Sequence, residues 1–349
     1  MRTVYLIRHG EPDFPDGKRF CLSRTDLPLT VLGRLQACLT ASVLPGSGSF
    51  DLFSSPLLRA RETASFIGEA AVEEDLSELG VGEWEGLSFD NIREKYPEEY
   101  AQRGVDPFRP FIPGGEPPAV CRRRMLRCID SLLGRTSGDI AVVSHACALK
   151  LYLSALNIVP AKAYLSVPMP YAGVTKLILN HGVLTPEYIG EVPRPPLDRA
   201  LCLKLLAAAG TPQNVIRHSL AVEKRALYLA ADRSVDRELS RCGALLHDMM
   251  HTQPYHEKVA ADLMDALGYT EVASLILSHT DLPEALAGSL NEASLIFLAD
   301  KTVSGETVVS LEERFSNARK KCTTVQAQEA HARRYTQAQH LMALCGERL

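Results

Sequence analysis

Val4-Tyr5-Leu6-Ile7-Arg8-His9-Gly10-Glu11 is the stretch on which the fold turns. Four apolar residues that stop at an arginine, a histidine and a glycine predict a buried strand running into a loop. The same pattern recurs at Ile140-Ala141-Val142-Val143-Ser144-His145. Working outward, Leu29 to Val43 is amphipathic, with Thr30 placed as an N-cap. Phe50 to Phe53 reads as a short strand. Ser55-Pro56 predicts a helix reaching about Ala70, with the proline near its first position. Glu116 to Leu133 and Ala146 to Leu156 read as helices. Val174 to Leu179 and Val183 to Ile189 bracket Asn180-His181-Gly182 as a hairpin. Strands alternating with helices predict a layered α/β domain with a largely parallel sheet over residues 1–190.

A different pattern follows. Residues 191–199 hold Pro193, Pro195 and Pro196 and read as a stiff linker. Beyond them the strand signal disappears. Leu201 to Ala209, Asn214 to Ala231, Asp236 to Leu246, Glu257 to Leu267, Glu271 to Ser278, Glu292 to Lys301, Ser310 to Lys321 and Val325 to Leu344 all read as helices. Residues 200–349 are therefore expected to form an all-α domain.

The chain has 349 residues and a formal net charge of −4, so no large basic field marks nucleic acid as a partner. No run of 18 apolar residues is present, and a membrane span is not expected. The Val4 to Ile7 run is too short for a signal-peptide core. Nine cysteines are scattered and never spaced as CxxC. That points to reduced thiols, and so to a cytoplasmic setting, and against a zinc ribbon.

Arg8-His9 and Ser144-His145 each follow a predicted buried strand, and ligands of open α/β sheets collect at the carboxyl ends of strands. Arg59, in Ser54-Ser55-Pro56-Leu57-Leu58-Arg59-Ala60, would arrive from a helix start. Arginines suit phosphate through their planar fork of donors. A histidine nitrogen can attack phosphorus, and a carboxylic acid must protonate the leaving oxygen. Glu78, Glu83 and Glu85 are the acids nearby. Trp84 reads as local packing, Cys147 as a small buried filler and His181 as a turn residue.

These blocks, with Thr25-Asp26-Leu27-Pro28-Leu29-Thr30 and Gly82-Glu83-Trp84-Glu85-Gly86, resemble in family order the histidine phosphatase superfamily, whose fold is phosphoglycerate mutase-like. The resemblance implies His9 as nucleophile and Glu78 as general acid. It implies Arg8, Arg59 and His145 as the phosphate pocket, with Ser23 nearby, and no cofactor. Ser23 stands where relatives often carry glycine. The segment from Glu78 to His145 lacks the long insertion typical of mutases, which favours a phosphatase. The Gly82 to Gly86 block looks like that of α-ribazole phosphatases and broad small-ester phosphatases. Specificity is expected in residues 88–118, where Arg93, Lys95, Arg103 and Arg109 could meet anionic groups or face solvent.

The second half carries His218, His247-Asp248 and Asp300, each beside apolar helical neighbours. Imidazole with carboxylate suits a divalent cation such as manganese, iron, magnesium or zinc. The ordered set resembles the HD-domain metal-dependent phosphohydrolases over about residues 200–320. His256 and His279 match the two further histidines of members holding two metals. His251 competes with His256. Lys301 could touch phosphate or face solvent, and His331 and His340, in the polar tail, read as structural or solvent-facing. The expectation is a bifunctional phosphohydrolase. Its first domain would dephosphorylate a small metabolite through phospho-His9, and its HD domain would act on a nucleotide. The alternative is a phosphatase or mutase whose HD domain only binds a metal or nucleotide for regulation. Oligomeric state is not legible.

Overall fold

Val4, Leu6 and Ile7 are fully buried in strand β1 (Arg2–Arg8), at the centre of a six-stranded sheet. A computed structural model describes residues 1–46, 48–105, 112–320 and 322–346. The chain divides into two units, Met1–Pro195 and Pro196–Leu349.

In the first unit β1 is followed by α1 (Val31–Val43), β2 (Phe50–Ser54), α2 (Leu58–Ile67) and β3 (Ala71–Val72). Then come α3 (Phe89–Lys95), α4 (Pro97–Val105), α5 (Pro118–Arg135), β4 (Asp139–Ser144), α6 (Ala146–Ala155), β5 (Val174–Asn180) and β6 (Val183–Glu191). The strand order is β3-β2-β4-β1-β5-β6. The first four strands are mutually parallel, and β5 and β6 run antiparallel. The mostly parallel α/β sheet is as the sequence predicts. Period-two alternation divides β1 between two cores. Val4 and Leu6 pack with Met125, Ile129 and Leu149 of α5 and α6. Tyr5 and Ile7 pack with Ala60 and Ala64 of α2. Burial on both faces explains the unbroken apolar run, and each such aliphatic side chain contributes about 1.5–3 kcal/mol.

Local chemistry sets the ends. Thr30 Oγ1 accepts from Gly33 N at 2.8 Å and caps α1. His181 (φ 48°) and Gly182 (φ 80°) make the β5–β6 turn, with the two positive φ angles of a type I′ hairpin. The expected start of α2 is corrected. Ser55 N still bonds to Val143 O in strand fashion, and the helix begins at Leu58, whose N–H is accepted by Asp26. Pro56 precedes the helix and is not in its first turn. Helices α3 and α4 were not foreseen.

The second unit contains α7 (Arg199–Ala209), α8 (Gln213–Leu229), α9 (Arg237–Leu246), α10 (His256–Ala266), α11 (Thr270–Ser278), α12 (Glu284–Ala287), α13 (Glu292–Lys301), α14 (Leu311–Arg319) and α15 (Val325–Cys345). Helix α13 is buried from Ala293 to Asp300 and forms the centre of this core. One departure from all-α is a hairpin of two short strands, β7 (Val303–Ser304) and β8 (Thr307–Val308), turning at Gly305 (φ 59°). Two-residue strands are too short to show a period.

Candidate functional site

The parallel register pairs Arg8 with Ser144, so the residues that follow them, His9 and His145, leave adjacent strands side by side. Their rings lie 5.0 Å apart. The loop after His9 passes close over α1: a side chain at Gly10 would meet Gly33 O at 2.4 Å. Only glycine fits that crossing.

His9 is 4% exposed. Its Nδ1 lies 2.6 Å from Gly10 O, which fixes the proton there and leaves Nε2 as the lone-pair nitrogen. Arg59 Nε donates to that Nε2 at 3.3 Å. Burial, then the Arg59 and Arg8 guanidiniums, hold the His9 imidazole well below its usual titration range. The ring is neutral at pH 7.

Arg59 is itself buried, and it donates to Thr25 O at 2.9 Å and Ser23 O at 2.7 Å. Arg8 lies against the Tyr171 face at 3.8 Å and donates to Met169 O. Ser55 Oγ accepts from Leu57 N at 3.3 Å and lies 2.7 Å from His145 Nε2. A hydroxyl has one proton and two lone pairs, so this contact serves either tautomer of His145. Two buried nitrogens here, Arg8 Nε and His145 Nδ1, have no hydrogen-bond partner among the described residues. A buried unpaired donor is costly, and an anion in the cavity would satisfy Arg8 Nε.

Glu78 caps α6. Its Oε1 accepts from Leu79 N at 2.8 Å and Ala148 N at 2.9 Å, and its Oε2 accepts from Cys147 N at 3.2 Å. Arg124 of α5 steadies that segment through Ser77 O at 3.0 Å and an ion pair with Glu116 at 2.8 Å. Arg8, His9, Arg59 and Glu78 all line one cavity of about 460 Å³. Cys147 lines it too and is half-buried, not a buried filler.

Ser23 and His145 are fully buried, and neither is among the residues that line the cavity. Ser23 lies beside the clamp. Its Oγ donates to Leu79 O at 2.6 Å, so it shapes the clamp through its carbonyl instead. Glu83 accepts from the Tyr96 hydroxyl at 2.9 Å. Arg93 pairs with Asp90, and neither it nor Lys95 reaches the cavity wall. Arg109 and the side chain of Arg103 lie outside the described residues.

Sequence reasoning missed the part played by Glu85. Its Oε1 accepts from Ser23 N, Thr25 N and Thr25 Oγ1 at 2.7–3.0 Å, and its Oε2 accepts from Arg24 N at 3.1 Å. Burial would raise its carboxyl, but these donors hold it below the usual carboxylate value. The chain of contacts runs from Glu85 to the 23–25 backbone, then to Arg59, then to His9. Glu85→Ala is expected to lower phosphatase kcat/KM about 10- to 100-fold, because clamp geometry tolerates little displacement. Glu85→Gln, which keeps an acceptor oxygen, should lose less. Steady-state kinetics of both variants check this, and equal losses would contradict it.

The six expected metal-site residues also converge. His218 comes from α8, His247 and Asp248 from the end of α9, His256 from the start of α10, His279 from the end of α11, and Asp300 from α13. His218 Nε2 lies 3.2 Å and His247 Nε2 3.8 Å from Asp300 Oδ1. Asp248 Oδ1 lies 3.1 Å from His256 Nε2 and 3.5 Å from His279 Nε2. Three ring Nδ1 atoms face backbone carbonyls: His218 at Gly305 O, His247 at Ala244 O and His279 at Ile276 O, at 2.6–2.8 Å. Each bond fixes the tautomer and turns Nε2 inward, as in metal-ligating histidines. The unforeseen β7–β8 hairpin supplies the carbonyl for His218. His247 Nε2 is buried without a hydrogen-bond partner. Burial brings its pKa down to about 4, so its lone pair is available at neutral pH. The triads His218-His247-Asp248 and Asp248-His256-His279 each gather ligand atoms within 4.8 Å and could hold an ion. His251 Nδ1 also reaches Asp248, at Oδ2 and 3.1 Å, although its side chain is half exposed. Lys301 is tied to Asp300 Oδ2 at 2.7 Å.

The family model of the HD domain matches residues 215–304. A protein of Yersinia pestis, "Probable phosphoglycerate mutase GpmB", is 35% identical over 174 residues, 47% of this chain and 78% of its own. YhfR of Bacillus stearothermophilus superposes with a TM-score of 0.51 at 28% identity, covering 55% of this chain and 98% of that one. A mutant phosphoserine phosphatase of Entamoeba histolytica in complex with phosphoserine gives 0.50 at 26%, with coverages of 55% and 98%. The family model of the histidine phosphatase superfamily (branch 1) matches residues 4–191, so the chain belongs to that superfamily and carries an HD domain behind it.

Proposed function

We propose that the first unit hydrolyses a small phosphomonoester through phospho-His9. The reading is carried by the neutral, buried His9 ring whose Nε2 faces the cavity side of Arg59 while Nδ1 is held by Gly10 O. His9 Nε2 attacks phosphorus and forms an N–P bond as the ester P–O bond breaks. Glu78 is the general acid that delivers a proton to the leaving oxygen. Arg8, Arg59 and His145 hold the transferring oxygens. Water then attacks phosphorus, Glu78 takes its proton, the N–P bond breaks and phosphate leaves. Phosphatase is preferred to mutase because the segment from Glu78 to His145 is short.

In the second unit, His218, His247, Asp248, His256, His279 and Asp300 would hold one or two divalent cations: manganese, iron, magnesium or zinc. Such an ion, when bound, activates water and offsets phosphate charge. The unit would then hydrolyse a phosphoester of a nucleotide. The protein would be a bifunctional cytoplasmic enzyme that needs neither nucleic acid nor a membrane. A panel of phosphorylated metabolites and nucleotides, assayed with and without chelator, tests both halves. Chelator-resistant turnover with labelled phosphate trapped on His9 is expected from the first unit, and chelator-sensitive turnover of a nucleotide from the second. Tight nucleotide binding without hydrolysis would make the HD domain a regulatory module. Net transfer of phosphate between sugar-acid positions would make the first unit a mutase.

A further inference from the structure

The phosphate clamp supplies only some of the residues that line the 460 Å³ cavity, and the rest of the wall has a different character. Phe14, Phe20, Val81, Phe89, Ile112 and Leu165 line it. Phe14 and Phe20 pack edge to face at 5.1 Å. Trp84, also on this wall, is backed by Tyr96 and Tyr100 at 6.3 and 6.2 Å, so the wall is a packed surface. Beyond Arg8, His9, Arg59 and Glu78, the charged lining side chains are Arg19 and Lys150. Both are engaged. Arg19 pairs with Glu11 at 3.5 Å and lies over Tyr171, and Lys150 donates to Leu165 O at 3.0 Å.

From this wall we infer that the leaving group carries a flat aromatic ring, which this part of the cavity holds while the phosphoryl group sits between Arg8, His9 and Arg59. The inference rests on the phosphohistidine reading of His9 and names its substrate class. Pockets of this volume enclose ring-sized ligands, and their apolar walls supply the affinity. A compact polar alcohol such as serine or glycerate would fill the clamp and leave the aromatic wall facing water. A ring laid on that wall removes apolar surface from both, which is worth about 10- to 100-fold in kcat/KM.

The test compares three primary alkyl phosphates, so that leaving-group chemistry stays constant: 2-(1-naphthyl)ethyl phosphate, ethyl phosphate and phosphoserine. The full chain is assayed with chelator present, and phosphate on His9 is followed in parallel. Naphthylethyl phosphate is expected to exceed both others at least about 10-fold in kcat/KM. Phe89→Ser, on a half-exposed helix face, should narrow the naphthylethyl-to-ethyl ratio several-fold. Equal or better turnover of phosphoserine, with phospho-His9 formed, would overturn the aromatic leaving group and leave the phosphohistidine reading standing. So would a ratio unchanged by Phe89→Ser. No phosphate on His9 from any of the three would remove that reading, and this inference with it.

Discussion

His9→Ala is expected to abolish chelator-resistant phosphatase turnover, with kcat down by about 10⁴-fold or more. The size of the loss follows from the geometry. His9 Nε2 is the ring nitrogen that carries no proton, and it lies beside the cavity with Arg59 Nε at 3.3 Å. Arg59, Arg8 and His145 can bind phosphate without it but cannot form a covalent bond to phosphorus. The fold should survive, because the backbone bonds of residue 9 to Ser144 O and from Ala172 N do not involve the ring. Thermal denaturation beside the kinetics separates the two effects. Acid adds a second readout. Burial and the neighbouring arginines depress His9 and His145 in the folded chain. In the unfolded chain both would take up protons near pH 6.5. The unfolded state then binds more protons below that pH, so stability is fully present above about pH 6.5 and falls as acid is added. His9→Ala removes one of the two groups, and its melting temperature should fall less steeply from pH 7 to pH 5. Retained turnover in this variant, with chelator present, would remove His9 from the role of nucleophile.

What was readable in advance follows from where each group comes from. Arg8-His9 and Ser144-His145 stand directly after two apolar runs. Those runs prove to be neighbouring parallel strands, so adjacency in the sheet turns two short motifs into one pocket. The histidines and aspartates of the second unit were readable because each is a side chain with few structural uses on an apolar helix. The supporting layer was not. Glu85 is bound by the backbone amides of residues 23–25, and amides leave no mark in a sequence. Arg59 is oriented by two carbonyl oxygens for the same reason. Asp26 sets the start of α2 from 32 residues away, which is why the helix begins two residues beyond the proline that marks its start in the sequence. Gly305 O orients His218 from a hairpin whose strands are two residues each. The resemblance expects Ser23 near the phosphate pocket, and in the fold its hydroxyl donates to Leu79 O.

Asp248→Ala is expected to cost the second unit its metal affinity by at least about 100-fold, the largest loss available at that site. Asp248 belongs to both candidate triads. Its Oδ1 faces His256 and His279, and its Oδ2 faces His247 at 3.5 Å and His251 at 3.1 Å. No other residue of the set touches four imidazoles. His218, His247, His279 and Asp300 are held by their own bonds to Gly305 O, Ala244 O, Ile276 O and Lys301, so these four should stay in place when this carboxylate is removed. Titration of the full chain with manganese, followed by spectroscopy of the bound ion, measures the affinity directly. Denaturation provides an independent check. An ion at 100 times its dissociation constant stabilises the folded state by about 2.7 kcal/mol. Wild-type protein should gain that on metal addition, and Asp248→Ala should gain almost nothing. His256→Ala, which touches only the second triad, should retain the site built on His218 and His247. If Asp248→Ala binds manganese as tightly as the unaltered chain, the shared carboxylate is not a ligand and the two-triad description of this centre fails.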